Sequence, residues 1–136
     1  MFLSLGSDII DIRRIKNTIK RYGTRFKKRC YHLSEITRSE KKLKSIESYA
    51  KRYAAKEACA KALGTGLAKG VFWKDIEIKN DNHGKPMIFL HKNAKSILNK
   101  NFGKDCKIEV SLSDEKNYAI ANVIIYKWNL LKIPLK

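Results

Sequence analysis

Proline and long apolar runs are both scarce in this sequence. Its 136 residues include only two prolines, Pro86 and Pro134, and no internal repeat or low-complexity linker is visible. We therefore expect a single domain over residues 1–136. The longest apolar run, YAIANVIIY near the C-terminus, is far too short to span a bilayer, and the apolar start MFLSLG lacks a basic leader. The sequence thus predicts neither a membrane protein nor a signal peptide.

Cysteine is also rare, and its pattern excludes two classes of site. Cys30, Cys59 and Cys106 are odd in number and show no C-x-x-C spacing, so we expect neither a disulfide framework nor a cysteine zinc site. The three histidines show no metal-ligand spacing along the chain and are interpreted as surface or turn residues. The cysteines are interpreted as inert packing residues of a cytoplasmic protein.

Acidic residues are few, and the charge balance is strongly basic. Thirty Lys and Arg side chains face thirteen Asp and Glu, which gives a formal net charge of +17. Such a charge fits an anionic partner, whether nucleic acid, an acidic protein or a phosphorylated small molecule. Alternatively, it reflects a composition rich in lysine along the whole chain. Charge alone does not select the partner.

The apolar periodicity predicts an α+β protein, with helices mostly early and an antiparallel sheet mostly late. A first strand is expected at residues 2–8, followed by helices over DIRRIKNTIKRYG, from Ser34 with that serine as cap, and over residues 48–63. Later strands are predicted in WKDIEI, MIFLH, CKIEVSLSD and YAIANVIIY, with a helix in KNAKSILNKNFG. NDNHGKP is predicted to be a turn and EKN a hairpin connection.

Asp8 lies between apolar neighbours in LGSDII, where a carboxylate needs a partner. One interpretation is that Ser7 or Asp8 caps the following helix, helped by Asp11. The other is that Asp8 holds a cation.

The third helix offers partners for the second interpretation. Glu57, Lys61 and Gly64 follow one another at i, i+4 and i+7 and share one helix face. Alone, Glu57 and Lys61 would form an ordinary helix ion pair. Two carboxylates, a lysine and a Gly-Thr-Gly loop are together typical of a magnesium–phosphate site.

Four stretches of the chain resemble the bacterial holo-acyl-carrier-protein synthases of the 4′-phosphopantetheinyl transferase superfamily. They are GSDIIDIRRI, KRYAAKEACAKALGTG, IEIKNDNHGKP and SLSDEKNYAIANVII, in the family's order and spacing. The resemblance implies the 4′-phosphopantetheinyl transferase fold, with early helices packed on a mainly antiparallel sheet. It also implies Mg²⁺-dependent transfer of phosphopantetheine from coenzyme A to a serine of apo acyl carrier protein, in support of fatty acid biosynthesis.

The resemblance assigns roles to particular residues. Asp8 and Glu57 correspond to the magnesium ligands, and Lys61 to the lysine that contacts the phosphate under attack. Glu57, acting through a water molecule, is a hypothetical base for the serine proton. The residues implied in binding coenzyme A are Arg52, Lys56, Lys61, Gly64, Gly66, Lys85, Pro86 and Ser113.

The same resemblance implies two protein interfaces. The first helix would dock the acidic carrier protein through Arg13, Arg14, Lys20 and Arg21. Members of this short type resemble homotrimers with active sites between subunits, and the small alanines of the third helix and the late apolar strands suit close subunit packing. Asp114 stands where many members have histidine, Trp73 where phenylalanine is common, and the tail KWNLLKIPLK extends past the usual end.

Two rival functions are compatible with the sequence. A nucleic-acid-binding protein would explain the charge but not Asp8 and Glu57, because carboxylates repel phosphates unless a metal intervenes. A nonenzymatic module that only binds the carrier protein would explain the basic first helix. We expect no nucleic-acid partner and no membrane.

Overall fold

Helix α4 lies against a three-stranded sheet, and the other elements are arranged around this pair. The computed structural model describes residues 1–128, so the predicted tail beyond Trp128 lies outside the described residues. The strands are β1 (Phe2–Asp11), β2 (Ile76–Asn80), β3 (Pro86–Leu90), β4 (Cys106–Glu115) and β5 (Tyr118–Lys127). The helices are α1 (Ile12–Tyr22), α2 (Thr24–Cys30), α3 (Leu33–Glu40), α4 (Ser45–Leu63) and α5 (Lys92–Phe102).

The larger sheet is antiparallel, in the order β1-β5-β4, so the first strand of the chain pairs with the last. Strand β5 alternates between buried and exposed residues, and its buried face packs on α4. The predicted α+β class with an antiparallel late sheet is confirmed. The buried residues of α4 include six alanines that are at most 1% exposed: Ala50, Ala54, Ala55, Ala58, Ala60 and Ala62.

These alanines let β1 approach α4 closely. A Cβ atom on Gly6 would lie 1.9 Å from the carbonyl oxygen of Ala58, so only glycine fits at the crossing. Two residues earlier, the hydroxyl of Ser4 donates to the carbonyl oxygen of Ala62 at 2.7 Å. The alanines are therefore used inside the chain, and their expected role in subunit packing has no support from their positions.

The smaller sheet is the β2–β3 hairpin, with Ile76 opposite Leu90 and Asn80 opposite Pro86. The NDNHGKP segment forms the predicted turn, because the carboxylate of Asp81 accepts hydrogen bonds from the backbone amides of His83 and Lys85. The Trp73–Asp75 segment, predicted as the start of a strand, forms a single 3₁₀ turn before β2.

The beginning of α1 decides between the two interpretations of Asp8. Strand β1 continues to Asp11, and the Asp11 carboxylate caps α1 by accepting the amide of Arg13 at 2.9 Å. The interpretation of Ser7 or Asp8 as the cap is wrong. Asp8 lies within the strand, with its side chain 9% exposed.

Other boundaries also differ from the sequence prediction. Helix α2 was not predicted, α3 begins at Leu33, and α4 begins at Ser45 rather than near residue 48. Ser34 does not cap α3, since its hydroxyl donates to the carboxylate of Glu77 at 2.6 Å. Within residues 1–128, no helix has the length and apolar character needed to cross a membrane.

Candidate active site

Strand β1 and helix α4 bring Asp8, Glu57 and Lys61 together. The ammonium of Lys61 donates to Oδ1 of Asp8 at 2.9 Å and to the carbonyl oxygen of Ser7 at 3.0 Å. Asp8 faces α4 because it lies two residues after Gly6 on the same side of the strand. The close crossing at Gly6 thus determines where the Asp8 carboxylate lies.

The two carboxyl groups are held close to each other. Burial raises the pKa of Glu57, and the nearby negative charge of Asp8 raises it further, while Arg14 and Lys61 act in the opposite direction. Oδ2 of Asp8 is buried and has no hydrogen-bond partner among the described residues. A buried carboxylate oxygen without a partner costs free energy, which a cation bound there would offset.

This donor set fits magnesium. Mg²⁺ prefers oxygen ligands and is often held by one or two carboxylates together with phosphate oxygens and water. Asp8 and Glu57 supply two carboxylates from two separate elements. Within residues 1–128, Oδ2 of Asp8 has no hydrogen-bond partner, so this oxygen is available to bind a cation. A pocket of about 260 Å³ next to the pair is lined by Ser7, Asp8, Ile9, Lys61 and Ile120.

The side chains of Arg52 and Lys56 point away from the Asp8–Glu57 pair. The guanidinium of Arg52 donates to the carbonyl oxygen of Ile78 at 2.5 Å and to Oδ1 of Asn80 at 2.8 Å. The fully buried ammonium of Lys56 is paired with Glu35 at 2.8 Å. Burial lowers the pKa of both basic groups.

Lys56 also donates to two backbone carbonyl oxygens, those of Trp73 and Ile76. Its three acceptors hold α3 and the start of β2 against α4. The sequence did not indicate that Glu35 is the buried partner, because α3 has the composition of a surface helix. In this chain Lys56 therefore has a structural position, away from the Asp8–Glu57 pair.

A larger cleft, of about 600 Å³, lies beside the first half of α4. Its charged lining is mostly basic: Arg38, Lys42, Lys44, Lys51 and Arg52, with Glu47 and Asp114. Asp114 is paired with Lys51 at 3.2 Å. This cleft shares no lining residue with the pocket at Asp8.

Among the remaining predicted binding residues, Lys85, Pro86 and Ser113 lie beside the larger cleft in sequence. Gly84 lines the larger cleft, and next to it Lys85 pairs with Glu109 at 3.2 Å while Pro86 begins β3. Ser113 is exposed on β4, between Leu112 and Asp114 of the cleft. Gly64 ends α4 with φ 87°, and Gly66 follows with φ 60°, both in the left-handed region that favours glycine.

The predicted docking residues Arg13, Arg14, Lys20 and Arg21 are all exposed on α1. Arg13 is paired with Asp11 at 2.6 Å. Arg14 lies close enough to Glu57 for its charge to lower the pKa of that carboxyl group. The basic surface of α1 therefore adjoins the carboxylate pair.

Comparisons with known proteins identify the family of the chain. The family model of the 4′-phosphopantetheinyl transferase superfamily matches residues 4–123. Holo-acyl-carrier-protein synthase of Rhizobium meliloti is 48% identical over 127 residues, which cover 92% of this chain and 91% of the relative.

Two crystal structures are similar over nearly the whole chain. The holo-acyl-carrier-protein synthase of Neisseria meningitidis superimposes with a TM-score of 0.82 at 35% identity, covering 93% of this chain and all of that one. The Helicobacter pylori synthase in complex with coenzyme A gives a TM-score of 0.78 at 32% identity, covering 90% and 99%. The chain belongs to the 4′-phosphopantetheinyl transferase superfamily, a family of enzymes.

Proposed function

We propose that this enzyme transfers 4′-phosphopantetheine from coenzyme A to a serine of apo acyl carrier protein, with Mg²⁺ as cofactor. The products would be holo acyl carrier protein and adenosine 3′,5′-bisphosphate, and the reaction would support fatty acid biosynthesis in the cytoplasm. The observation that carries the proposal is the close Asp8–Glu57 carboxylate pair beside Lys61 in a chain of this family.

Each residue of the pair has a role in this reaction. Asp8 and Glu57 would hold the cation, which when bound neutralises charge on the pyrophosphate of coenzyme A and orients it. Lys61, with its side chain 54% exposed, can exchange its contact with Asp8 for the phosphate under attack. The serine oxygen–phosphorus bond forms as the bond from that phosphorus to the leaving adenosine 3′,5′-bisphosphate breaks. Glu57 is proposed to accept the serine proton through a water molecule.

The adenine nucleotide needs more space than the pocket at Asp8 offers. We assign it to the basic cleft of Arg52, with Lys85, Pro86 and Ser113 at its margin and Gly64 and Gly66 next to the carboxylate pair. Lys56 is left out of this assignment, because its ammonium is fully buried in contacts within its own chain. In one chain the pocket and the cleft are separate.

A homotrimer would bring the pocket and the cleft of neighbouring chains together. Four apolar residues stand exposed as cross-strand pairs on the outer face of the larger sheet, Leu5 with Ile124 and Ile9 with Ile120. Ile9 and Ile120 also line the pocket at Asp8. A subunit covering this face would bury apolar surface and close the pocket in one step.

The test is to incubate the protein with apo acyl carrier protein, coenzyme A and Mg²⁺ and to weigh the carrier by mass spectrometry. We expect the carrier to gain one phosphopantetheine group, and we expect no gain when Mg²⁺ is removed by a chelator. A carrier that binds without gaining mass would show a binding module instead. Salt-dependent binding to unrelated nucleic acids, without transfer, would favour the nucleic-acid-binding alternative.

A further inference from the structure

Three side chains from distant parts of the chain form a second cluster of metal-ligand type. His32 precedes α3, Glu77 lies in β2, and His91 follows β3 just before α5. One ligand atom from each of the three lies within 4.8 Å of the other two. We propose that this cluster binds a divalent transition-metal ion of the zinc class, independently of the Asp8–Glu57 site.

The distances suit such an ion. Nε2 of His91 is 2.8 Å from Oε1 of Glu77, and the rings of His32 and His91 have centroids 5.0 Å apart. A tetrahedral site with metal–ligand distances of about 2.0–2.1 Å separates neighbouring ligand atoms by about 3.3 Å. Only small side-chain movements are therefore needed for two nitrogens and one carboxylate oxygen to surround an ion.

The neighbouring groups hold these ligands in place, as the surroundings of protein metal sites do. Oε2 of Glu77 accepts the hydroxyl of Ser34 at 2.6 Å, which leaves Oε1 directed at His91. Nε2 of His32 contacts the carbonyl oxygen of Lys74, which fixes the orientation of the ring. The backbone amide of His91 donates to the carbonyl oxygen of Asp75 at 2.8 Å.

Charge and exposure also agree with a metal site. The side chain of Glu77 is 7% exposed, so its carboxylate gains from a cation, whereas that of His91 is 41% exposed and leaves the cluster open to water as a fourth ligand. Lys79 competes weakly, with Nζ 3.8 Å from Oε2 of Glu77 and half its side chain exposed. Imidazole nitrogens favour zinc over magnesium, so the two sites would take different ions.

The bound ion would join three elements that are distant in the sequence. It would fasten the beginning of α3 to strand β2 and to the beginning of α5. We therefore expect zinc to stabilise the fold without replacing magnesium in phosphopantetheine transfer. The assignment rests on the positions of His32, Glu77 and His91 alone and does not depend on the proposed function.

The experiment uses the full chain without an affinity tag, stripped of metal and titrated with Co²⁺, whose visible spectrum reports tetrahedral nitrogen and oxygen ligation. We expect one tetrahedral Co²⁺ per chain, displaced by Zn²⁺ and not by excess Mg²⁺, and a rise in the thermal unfolding temperature with Zn²⁺. His91→Asn and His32→Asn should each weaken binding by at least about tenfold. The matched control is His83→Asn, in the exposed turn, which should bind as the unaltered chain does.

Asp8→Asn separates the two sites, because it removes a ligand of the other site and should leave the tetrahedral Co²⁺ spectrum unchanged. The proposal is overturned if the unaltered chain gives no tetrahedral Co²⁺ spectrum, if His91→Asn binds Co²⁺ like His83→Asn, or if Asp8→Asn abolishes binding. Circular dichroism of each metal-free variant confirms folding. His91→Asn decides the outcome if His32→Asn does not fold, since the His91 side chain is 41% exposed at the cluster's open side.

Discussion

At the residue scale, the position of the Asp8 carboxylate lowers the stability of the empty protein and suits the binding of a cation. Its carboxylate is buried next to Glu57, and one of its oxygens lacks a partner within residues 1–128. Lys61 and Arg14 offset part of the repulsion between the two carboxylates, and a cation or a proton between them would relieve it further. Sites of this kind lower stability in the empty protein and serve function.

The first prediction follows from that conflict. Asp8→Asn should slow phosphopantetheine transfer by at least about a hundredfold. The change removes a charged ligand of the cation that would neutralise the reacting phosphate. The same change should leave the free energy of unfolding of the metal-free chain equal or higher, because one of two repelling charges is removed. Transfer is followed by carrier mass and stability by urea unfolding. Asp105→Asn, at a carboxylate that is 77% exposed, is the control and should change neither quantity.

The cysteines provide a second prediction at this scale. Burial raises the pKa of Cys30 to about 11 and that of Cys59 to about 12. Relative to an ordinary thiol with pKa 9.0, Cys30 at pH 8 would hold about a hundredfold less thiolate. Iodoacetamide should therefore leave both cysteines unmodified in the folded chain and modify them after unfolding, as measured by intact and peptide mass. Rapid labelling of Cys59 in the folded chain would contradict its interpretation as a packing residue.

At the scale of the element, α4 presents different chemistry on its different faces. One face carries Glu57 and Lys61 to the active site, and another buries Lys56 against Glu35 of α3. The second face aligns β2 with α4, because Lys56 and Arg52 bind the carbonyl oxygens of Ile76 and Ile78. The element therefore positions the site and fixes the hairpin on which the second cluster depends.

Lys56→Ala should lower the free energy of unfolding by about 3–5 kcal/mol, because it leaves the Glu35 carboxylate buried without its ammonium partner. Lys51, five residues earlier, forms a partly exposed ion pair with Asp114 at the surface. Lys51→Ala should therefore lower the free energy of unfolding by at most about 1 kcal/mol. Urea unfolding of both variants measures the difference. Equal losses in the two variants would mean that the buried pair contributes no more than a surface pair.

The same helix shows what the sequence could and could not predict. The i, i+4 spacing places Glu57 and Lys61 on one face, so their proximity follows from local geometry alone. Whether Lys56 points to solvent, to the nucleotide or to the core depends on what packs against α4. The sequence around a lysine does not indicate which of these environments it occupies. Helix α2 was missed because TRFKKRC is short and offers only Phe26 and Cys30 as apolar signals.

Tertiary contacts account for the other differences. The histidines have no ligand spacing along the chain because His32, Glu77 and His91 meet only after the β2–β3 hairpin packs on α3. Asp8 reaches Glu57 because Gly6 and the alanines of α4 allow a close crossing, a fact that the alanine content suggested but did not locate. The family resemblance supplied the Asp8–Glu57 pairing that residue spacing left open.

At the scale of the whole molecule, part of the positive charge lies beside the candidate active site. The basic surface of α1 lies next to the carboxylate pair, so an acidic partner steered to α1 would bring its serine to the reacting phosphate. Arg14 is expected to contribute more than Arg13, because the Arg13 guanidinium is already paired with Asp11.

Arg14→Glu should raise the KM for the carrier protein by about three- to tenfold and leave the affinity for coenzyme A unchanged. The effect should shrink at high salt, because the interaction is between exposed charges. Lys16→Glu, an equal change of charge on the same helix, is the control and should have a smaller effect. A loss of coenzyme A affinity in Arg14→Glu would place this side chain in the nucleotide site instead.

In the proposed trimer, the outer face of the larger sheet would link assembly to activity. Ile9 and Ile120 are 62% and 37% exposed, and both line the pocket at Asp8, so a neighbour that covers them would also complete that pocket. Ile120→Lys should convert a trimer into monomers, because a charged side chain would be buried at the interface. Transfer should be lost in parallel, since the pocket and the basic cleft of one chain are separate. Sedimentation measures the mass of the assembly. Phe89→Lys, an equally exposed apolar position on β3 at 43%, should leave both properties intact, whereas a fully active monomer would show that one chain forms the whole site.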